Sequence, residues 1–180
     1  MDAQLVLTVQ GTIDSCSTKL SDNVHCRYGF TMDGDWEKYQ GPISGITPSS
    51  HSEGSFPSVF NYPFQISMVS SSPFGWPQIV LAVYGLNTFG YDMIVGYGGV
   101  HVPMTPGRHE VEVPLFAPKP ETFIQKISTF FTGLYPELIN ISSIATGEDR
   151  DVLQTTSQGY VKITFNVTIS DPEPLGLCFS

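Results

Sequence analysis

Apolar and polar residues alternate without a break from Val161 to Ile169: Val161, Ile163, Phe165, Val167 and Ile169 are separated by Lys162, Thr164, Asn166 and Thr168. A period of two puts the first set on one face of an extended strand and the second on the other, so this stretch is a half-buried strand and not a helix. The same signature recurs. Val24, Cys26, Tyr28 and Phe30 alternate with His25, Arg27 and Gly29; Leu5, Leu7 and Val9 open a first strand; Phe64, Ile66 and Met68 form another. Ile79 to Tyr84 is almost continuously apolar, which predicts a central strand covered on both faces. The stretches 95–102 and 111–115 complete the set.

Turn-forming pairs punctuate these runs at Asp33-Gly34, Gly41-Pro42, Ser72-Pro73, Pro106-Gly107 and Gly147-Glu148, and the Ser-, Gly- and Pro-rich stretch from Gly41 to Ser58 reads as a long loop. The 17 glycines and 14 prolines suit short strands joined by tight turns. With 180 residues the chain is long enough for one domain with one sizeable core. The expectation is an all-β antiparallel sandwich of about eight strands over residues 1–170, then an irregular tail, 171–180, containing Pro172, Pro174 and Gly176.

One segment departs from period two. Between Glu121 and Leu134, Phe123, Ile124, Ile127, Phe130, Phe131 and Leu134 recur at helical spacing, with Pro120 before them and Gly133 near the end. This predicts one amphipathic helix inserted between strands. Its stripe either packs on an edge of the sandwich or docks a partner or membrane surface; Lys126 alone is a thin basis for the membrane version.

Charge narrows the partners. Seventeen acidic against eight basic residues give a net charge of −9, and no cluster of Lys or Arg occurs. A surface that tracks nucleic-acid phosphates is therefore excluded, as is a polybasic patch for anionic lipid. The start, Met1-Asp2-Ala3-Gln4, lacks the basic residues of a secretory signal, and no run approaches the ~20 apolar residues of a spanning helix. Cys16, Cys26 and Cys178 are odd in number and widely spaced, which fits reduced cytosolic thiols. In that setting the Asn-x-Ser/Thr triplets at Asn140 and Asn166 read as chance matches.

No constellation carries catalysis. Gly41-Pro42-Ile43-Ser44-Gly45 has the wrong spacing for a nucleophile elbow. Gly96-Tyr97-Gly98-Gly99 runs into a strand rather than the helix a dinucleotide loop needs, so its glycines are read as close strand approach or a bulge. His25 and Cys26 point to opposite faces of one strand and cannot share a metal. His101 and His109 flank a turn. Glu110 and Glu112 share a strand face with no base beside them and read as solvated surface; Asp33 and Asp35, beside Trp36, read as a turn. No catalytic residue, metal ligand set or cofactor is expected.

The stretch Gly75-Trp76-Pro77-Gln78-Ile79-Val80-Leu81-Ala82-Val83-Tyr84 is followed by Phe89-Gly90, Gly96-Tyr97-Gly98, His101-Val102-Pro103 and Pro106-Gly107-Arg108-His109. This string resembles the B9 domain family, divergent relatives of the C2 sandwich. Tyr62-Pro63-Phe64-Gln65-Ile66 and Ser157-Gln158-Gly159-Tyr160-Val161 agree with it, so the resemblance extends from about Leu5 to Ile169. It implies a C2-like sandwich and permits a test for calcium. Calcium-binding C2 domains carry aspartates in the loop after a strand ending Val-Tyr, and Ca²⁺ takes roughly six to eight oxygen ligands, several charged. Here Gly85 and Asn87 hold the first two positions and Met93 the third, while Asp92 is one residue out of register. No Ca²⁺ site is expected in this loop.

The resemblance further implies a non-enzymatic scaffold subunit of the heteromeric tectonic-like (Meckel syndrome) complex at the ciliary transition zone, binding other B9-domain proteins. Cytoplasm, cytoskeleton, basal body and transition zone are the places it implies. The roles it implies are cilium assembly, the membrane diffusion barrier with indirect ties to transition-zone membrane proteins, and Hedgehog signalling. Phe89, Tyr91 and Tyr97 are candidate contact residues, or rings that merely pack the loop. The alternative function is a calcium-independent C2-like lipid-binding module, which without a basic patch would rely on apolar loop insertion.

Overall fold

The computed structural model describes residues 4–53, 57–86, 89–116 and 157–170. Ten strands follow one another: β1 (Leu5–Thr18), β2 (Asn23–Thr31), β3 (Glu37–Gln40), β4 (Ser44–Ile46), β5 (Ser50–His51), β6 (Ser58–Ser70), β7 (Gln78–Leu86), β8 (Asp92–His101), β9 (Gly107–Phe116) and β10 (Ser157–Ser170). The all-β expectation holds over the described residues, with ten strands in place of about eight. The helix expected over 121–134 and the tail, 171–180, lie outside the described residues.

All neighbouring strands pair antiparallel in the order β3-β6-β1-β10-β9-β8-β7-β2-β4, and β5 also pairs with β2. Most pairings are long: β1 runs beside β10 from Val6↔Ser170 to Thr18↔Gly159. The link between β8 and β9 is a single residue pair, Tyr97↔Phe116. The sheet curls there, and its two arms face each other across the core. Tyr28 and Phe30 of β2 meet Phe64 of β6 at ring separations of 5.8 and 5.6 Å, and Phe64 meets Phe165 of β10 at 5.9 Å. Offset and edge-on ring pairs at this spacing add to the burial of large apolar areas.

The core residues are those the alternation marks. Leu5, Leu7, Val9, Val24, Cys26, Ile66, Met68, Val161, Ile163 and Phe165 are all buried in one cluster. In β7 every residue from Gln78 to Val83 is buried, as a strand covered on both faces requires. The Gly96–Gly99 run lies inside β8, where Gly98 lets the Pro114 carbonyl approach to 2.7 Å of the position a Cβ would take.

The long loop read over 41–58 needs correcting. It contains β4 and β5 and gives way to β6 at Ser58. These strands are two or three residues long and have no periodicity of their own. They exist because β2 offers an edge: the Phe30 N–H donates to the Ile43 carbonyl at 2.8 Å, and the Cys26 N–H to Thr47 Oγ1 at 2.9 Å.

Candidate functional site

Strand directions sort the connections into two ends. β1 and β7 finish, and β2 and β8 begin, at the same end, so the β1–β2 and β7–β8 turns are neighbours. Ser21 joins them: its hydroxyl donates to the carbonyls of Asn23 at 3.0 Å and Leu86 at 3.3 Å. Asp22 is tied to the β5 side through its carbonyl, which accepts the Ser52 N–H at 2.7 Å. Behind the hairpin, Tyr84 stacks on His25 with ring centroids 5.3 Å apart and planes 10° from parallel.

At the tip of this hairpin Phe89 is 84% exposed and Tyr91 72%. Leu86, on the same hairpin, and Leu20, on the adjoining turn, are also exposed. Gly90 between the two rings adopts a φ of +81°, the left-handed geometry that reverses the chain there. The result is an exposed apolar tip next to the hydrogen-bonded β1–β2 turn.

Tyr97, the third candidate, is placed elsewhere. It sits inside β8 opposite Ala82, is only 3% exposed, and burial pushes its hydroxyl pKa up to about 12, with Tyr84 a smaller cause. It does not belong to the exposed tip. Its place inside β8, and not in the loop with Phe89 and Tyr91, sets it apart.

Of the positions compared with calcium ligands, Gly85 is buried in β7 and pairs with Met93 of β8. A Cβ at Gly85 would come within 2.6 Å of the Ser21 Cβ, so the position has no room for a carboxylate side chain. Met93 is half-buried and Asp92 is exposed opposite Leu86. Asn87 lies outside the described residues. Among the described residues no three His, Cys, Asp or Glu side chains converge as a metal site would require. Cys16 and Cys26 are free thiols in the core; burial raises the Cys16 pKa from 9.0 to about 12 and raises that of Cys26 as well. Both stay protonated and unreactive near neutrality.

The polar face of β9 and β10 carries a set of paired charges. Lys162 Nζ lies 2.9 Å from Glu110, and Arg108 contacts the same carboxylate at 3.3 Å. The hydrogen bond from Lys162 holds the Glu110 carboxyl below its ordinary range. On β1, Asp14 accepts the Thr164 hydroxyl at 2.7 Å and that of Thr12. The Lys162 and Thr164 contacts run from strand to strand and the other two lie within β9 and β1, which pairs each of these groups structurally.

The opposite end was not singled out from sequence beyond its turn. There Trp36 and Trp76 pack edge to face at 5.2 Å under the β2–β3, β6–β7 and β8–β9 connections. Trp36 Nε1 donates to the Phe74 carbonyl at 3.0 Å and Trp76 Nε1 to the Val102 carbonyl at 2.8 Å. Two tryptophans beside Gly-Pro-rich turns were the available signal, and nothing in the spacing showed that they share one cluster.

Comparison with known proteins supplies the family. The B9-C2 family model, described as "Ciliary basal body-associated, B9 protein", matches residues 7–168. The B9 domain-containing protein 1 of Xenopus laevis is 40% identical over 173 residues, covering 95% of this chain and 87% of that protein. Its Homo sapiens counterpart is 39% identical, with 95% and 85% covered. The B9 domain-containing protein 2 of Xenopus laevis is 29% identical over 167 residues, with 93% and 94% covered. Among solved structures, a C2 domain of plant Extended Synaptotagmin 1 superposes with a TM-score of 0.45 at 10% identity, covering 93% of this chain and 96% of that one. A family match across nearly the whole chain and relatives near 40% identity decide the matter: the chain belongs to the ciliary basal body-associated B9 protein family.

Proposed function

We propose that this chain is a non-enzymatic scaffold subunit at the base of the cilium, holding other B9-domain proteins through the β7–β8 end of its sandwich. The observation that carries the reading is the exposed pair Phe89 and Tyr91 beyond the end of β7, where Ser21 donates to the Leu86 carbonyl. Aromatic side chains on a rigid support are the usual anchors of protein interfaces, because little conformational freedom is lost when they bind. In this reading the chain is part of the heteromeric transition-zone complex that supports cilium assembly, the membrane barrier and Hedgehog signalling. Transition-zone membrane proteins are then reached through its neighbours.

The experiment is co-expression with a B9 domain-containing protein 2, followed by pull-down from the wild-type chain and from Phe89→Ser/Tyr91→Ser. The double variant is expected to lose most of the captured partner while melting at the wild-type temperature, since both rings are exposed. Undiminished capture contradicts this surface. Flotation with phosphatidylserine-containing liposomes tests the lipid-binding alternative. The tip has no Lys or Arg from Leu86 to Met93, so no flotation is expected without partners.

A further inference from the structure

The end opposite the β7–β8 tip displays an apolar side chain on an unusually fixed loop. Phe74 is 82% exposed, yet its backbone is held on both sides. Its N–H donates to Ser72 Oγ at 3.3 Å and its carbonyl accepts the Trp36 indole N–H at 3.0 Å. The next residue, Gly75, has a φ of +73°, and a Cβ there would come within 2.4 Å of the Asp33 carbonyl oxygen. The Asp33 N–H in turn donates to the Gly75 carbonyl at 3.4 Å. Met104, on the neighbouring β8–β9 connection, is 59% exposed, and that connection is secured by the Val102 N–H to the Pro77 carbonyl at 3.0 Å. Both indoles are buried beneath, so the loops are shaped to leave Phe74 outside the core.

The charge around it has one dominant sign. Asp33 and Asp35 are exposed on the loop that touches Phe74 and Glu37 is exposed at the start of β3, with Asp35 fixed by the Ser71 hydroxyl at 2.9 Å. Lys38 is the one cation between Thr31 and Gln40, and the stretches 71–77 and 102–107 carry no Lys, Arg, Asp or Glu. Arg108, at the start of β9, already contacts Glu110. An apolar anchor with an acidic border fits an apolar pocket bordered by Lys or Arg, and it repels an anionic membrane surface.

We infer that the Phe74 end is a second docking surface, taking a protein partner whose apolar pocket is ringed by basic side chains. This rests on the scaffold reading above for the class of partner, another B9-domain protein. It adds a second contact at the other end of the molecule, so that the chain holds neighbours at both ends.

The test measures binding of the full chain to purified B9 domain-containing protein 2 at two salt concentrations. The variants are Phe74→Ser, Asp33→Lys/Asp35→Lys and Phe89→Ser/Tyr91→Ser. Phe74→Ser is expected to raise Kd by about tenfold, the loss typical of an interface anchor. The charge reversal is expected to weaken binding more at low salt than at high salt. Melting temperature, measured alongside, is expected to stay at the wild-type value for Phe74→Ser. Wild-type affinity in both Phe74→Ser and the charge reversal overturns this surface and leaves the scaffold reading standing. Loss confined to Phe89→Ser/Tyr91→Ser does the same. A wild-type chain that captures no B9 protein overturns the scaffold reading and this surface together, and capture of the wild-type chain by phosphatidylserine vesicles in preference to the B9 protein overturns the choice of a protein partner.

Discussion

At Gly85 the β7 backbone runs against Ser21 so closely that a Cβ would meet the Ser21 Cβ at 2.6 Å. The position that lacks a calcium-ligand carboxylate in the sequence is thus also closed to one in space. Gly85→Asp is expected to destabilise by about 1–3 kcal/mol through crowding, seen as a lowered denaturation midpoint, and calorimetry is expected to show no Ca²⁺ binding before or after the substitution. A micromolar Ca²⁺ isotherm from the wild-type chain would overturn this account of the loop. Titration offers a second check at this scale. Burial raises the pKa of Cys16 from 9.0 to about 12, and those of Tyr28 and Tyr97 from 10.0 to about 12. An unfolded chain therefore releases these protons at lower pH than the folded one, and the stability they supply is complete below pH 9 and lost as pH rises toward 12. The melting temperature is expected to be flat from pH 7 to 8.5 and to fall by several degrees by pH 11; a flat profile through pH 11 would contradict it.

Among the elements, the long strands were legible because their periodicity survives packing. β2 and β10 bury the residues the alternation marks as far as Val167, with Ile169 half-buried, and β7 buries its continuous run as far as Val83. β1 shows where the periodicity gives out. Its inward set, Leu5, Leu7, Val9 and Ile13, is followed by Cys16, because the register shifts between Ile13 and Ser15. A bulge moves the alternation by one residue, and a strict period-two reading loses the strand there although pairing continues to Thr18. β3, β4 and β5 escaped for another reason: they are defined by the partner edge and not by their own side chains. The element that joins the two arms is β6, whose Phe64 touches Tyr28, Phe30 and Phe165. Phe64→Ala is expected to cost about 3–5 kcal/mol, read as a lower urea midpoint at unchanged slope. A shift below about 1 kcal/mol would mean that the arms are held together elsewhere.

For the whole molecule, composition narrows the class of partner and topology separates the exposed rings. A net charge of −9 with no basic cluster disfavours nucleic acid and anionic membranes. The resemblance supplied the family, and the fold then divided the exposed rings: Phe89 and Tyr91 at one end, Phe74 at the other, Tyr97 buried in between. That division was hidden in the sequence, where Phe89, Tyr91 and Tyr97 lie within nine positions of one another and Phe74 directly precedes the Gly75-Trp76-Pro77 motif. The central claim is that the β7–β8 tip holds another B9-domain protein, and the direct measurement is sedimentation velocity on the chain co-expressed with B9 domain-containing protein 2. A single heteromeric boundary is expected for the wild type, and for Phe89→Ser/Tyr91→Ser a weakened complex whose boundary moves most of the way toward the separate, folded components, with the Phe74 end as the one contact left. A heteromer that survives the double substitution intact would contradict it.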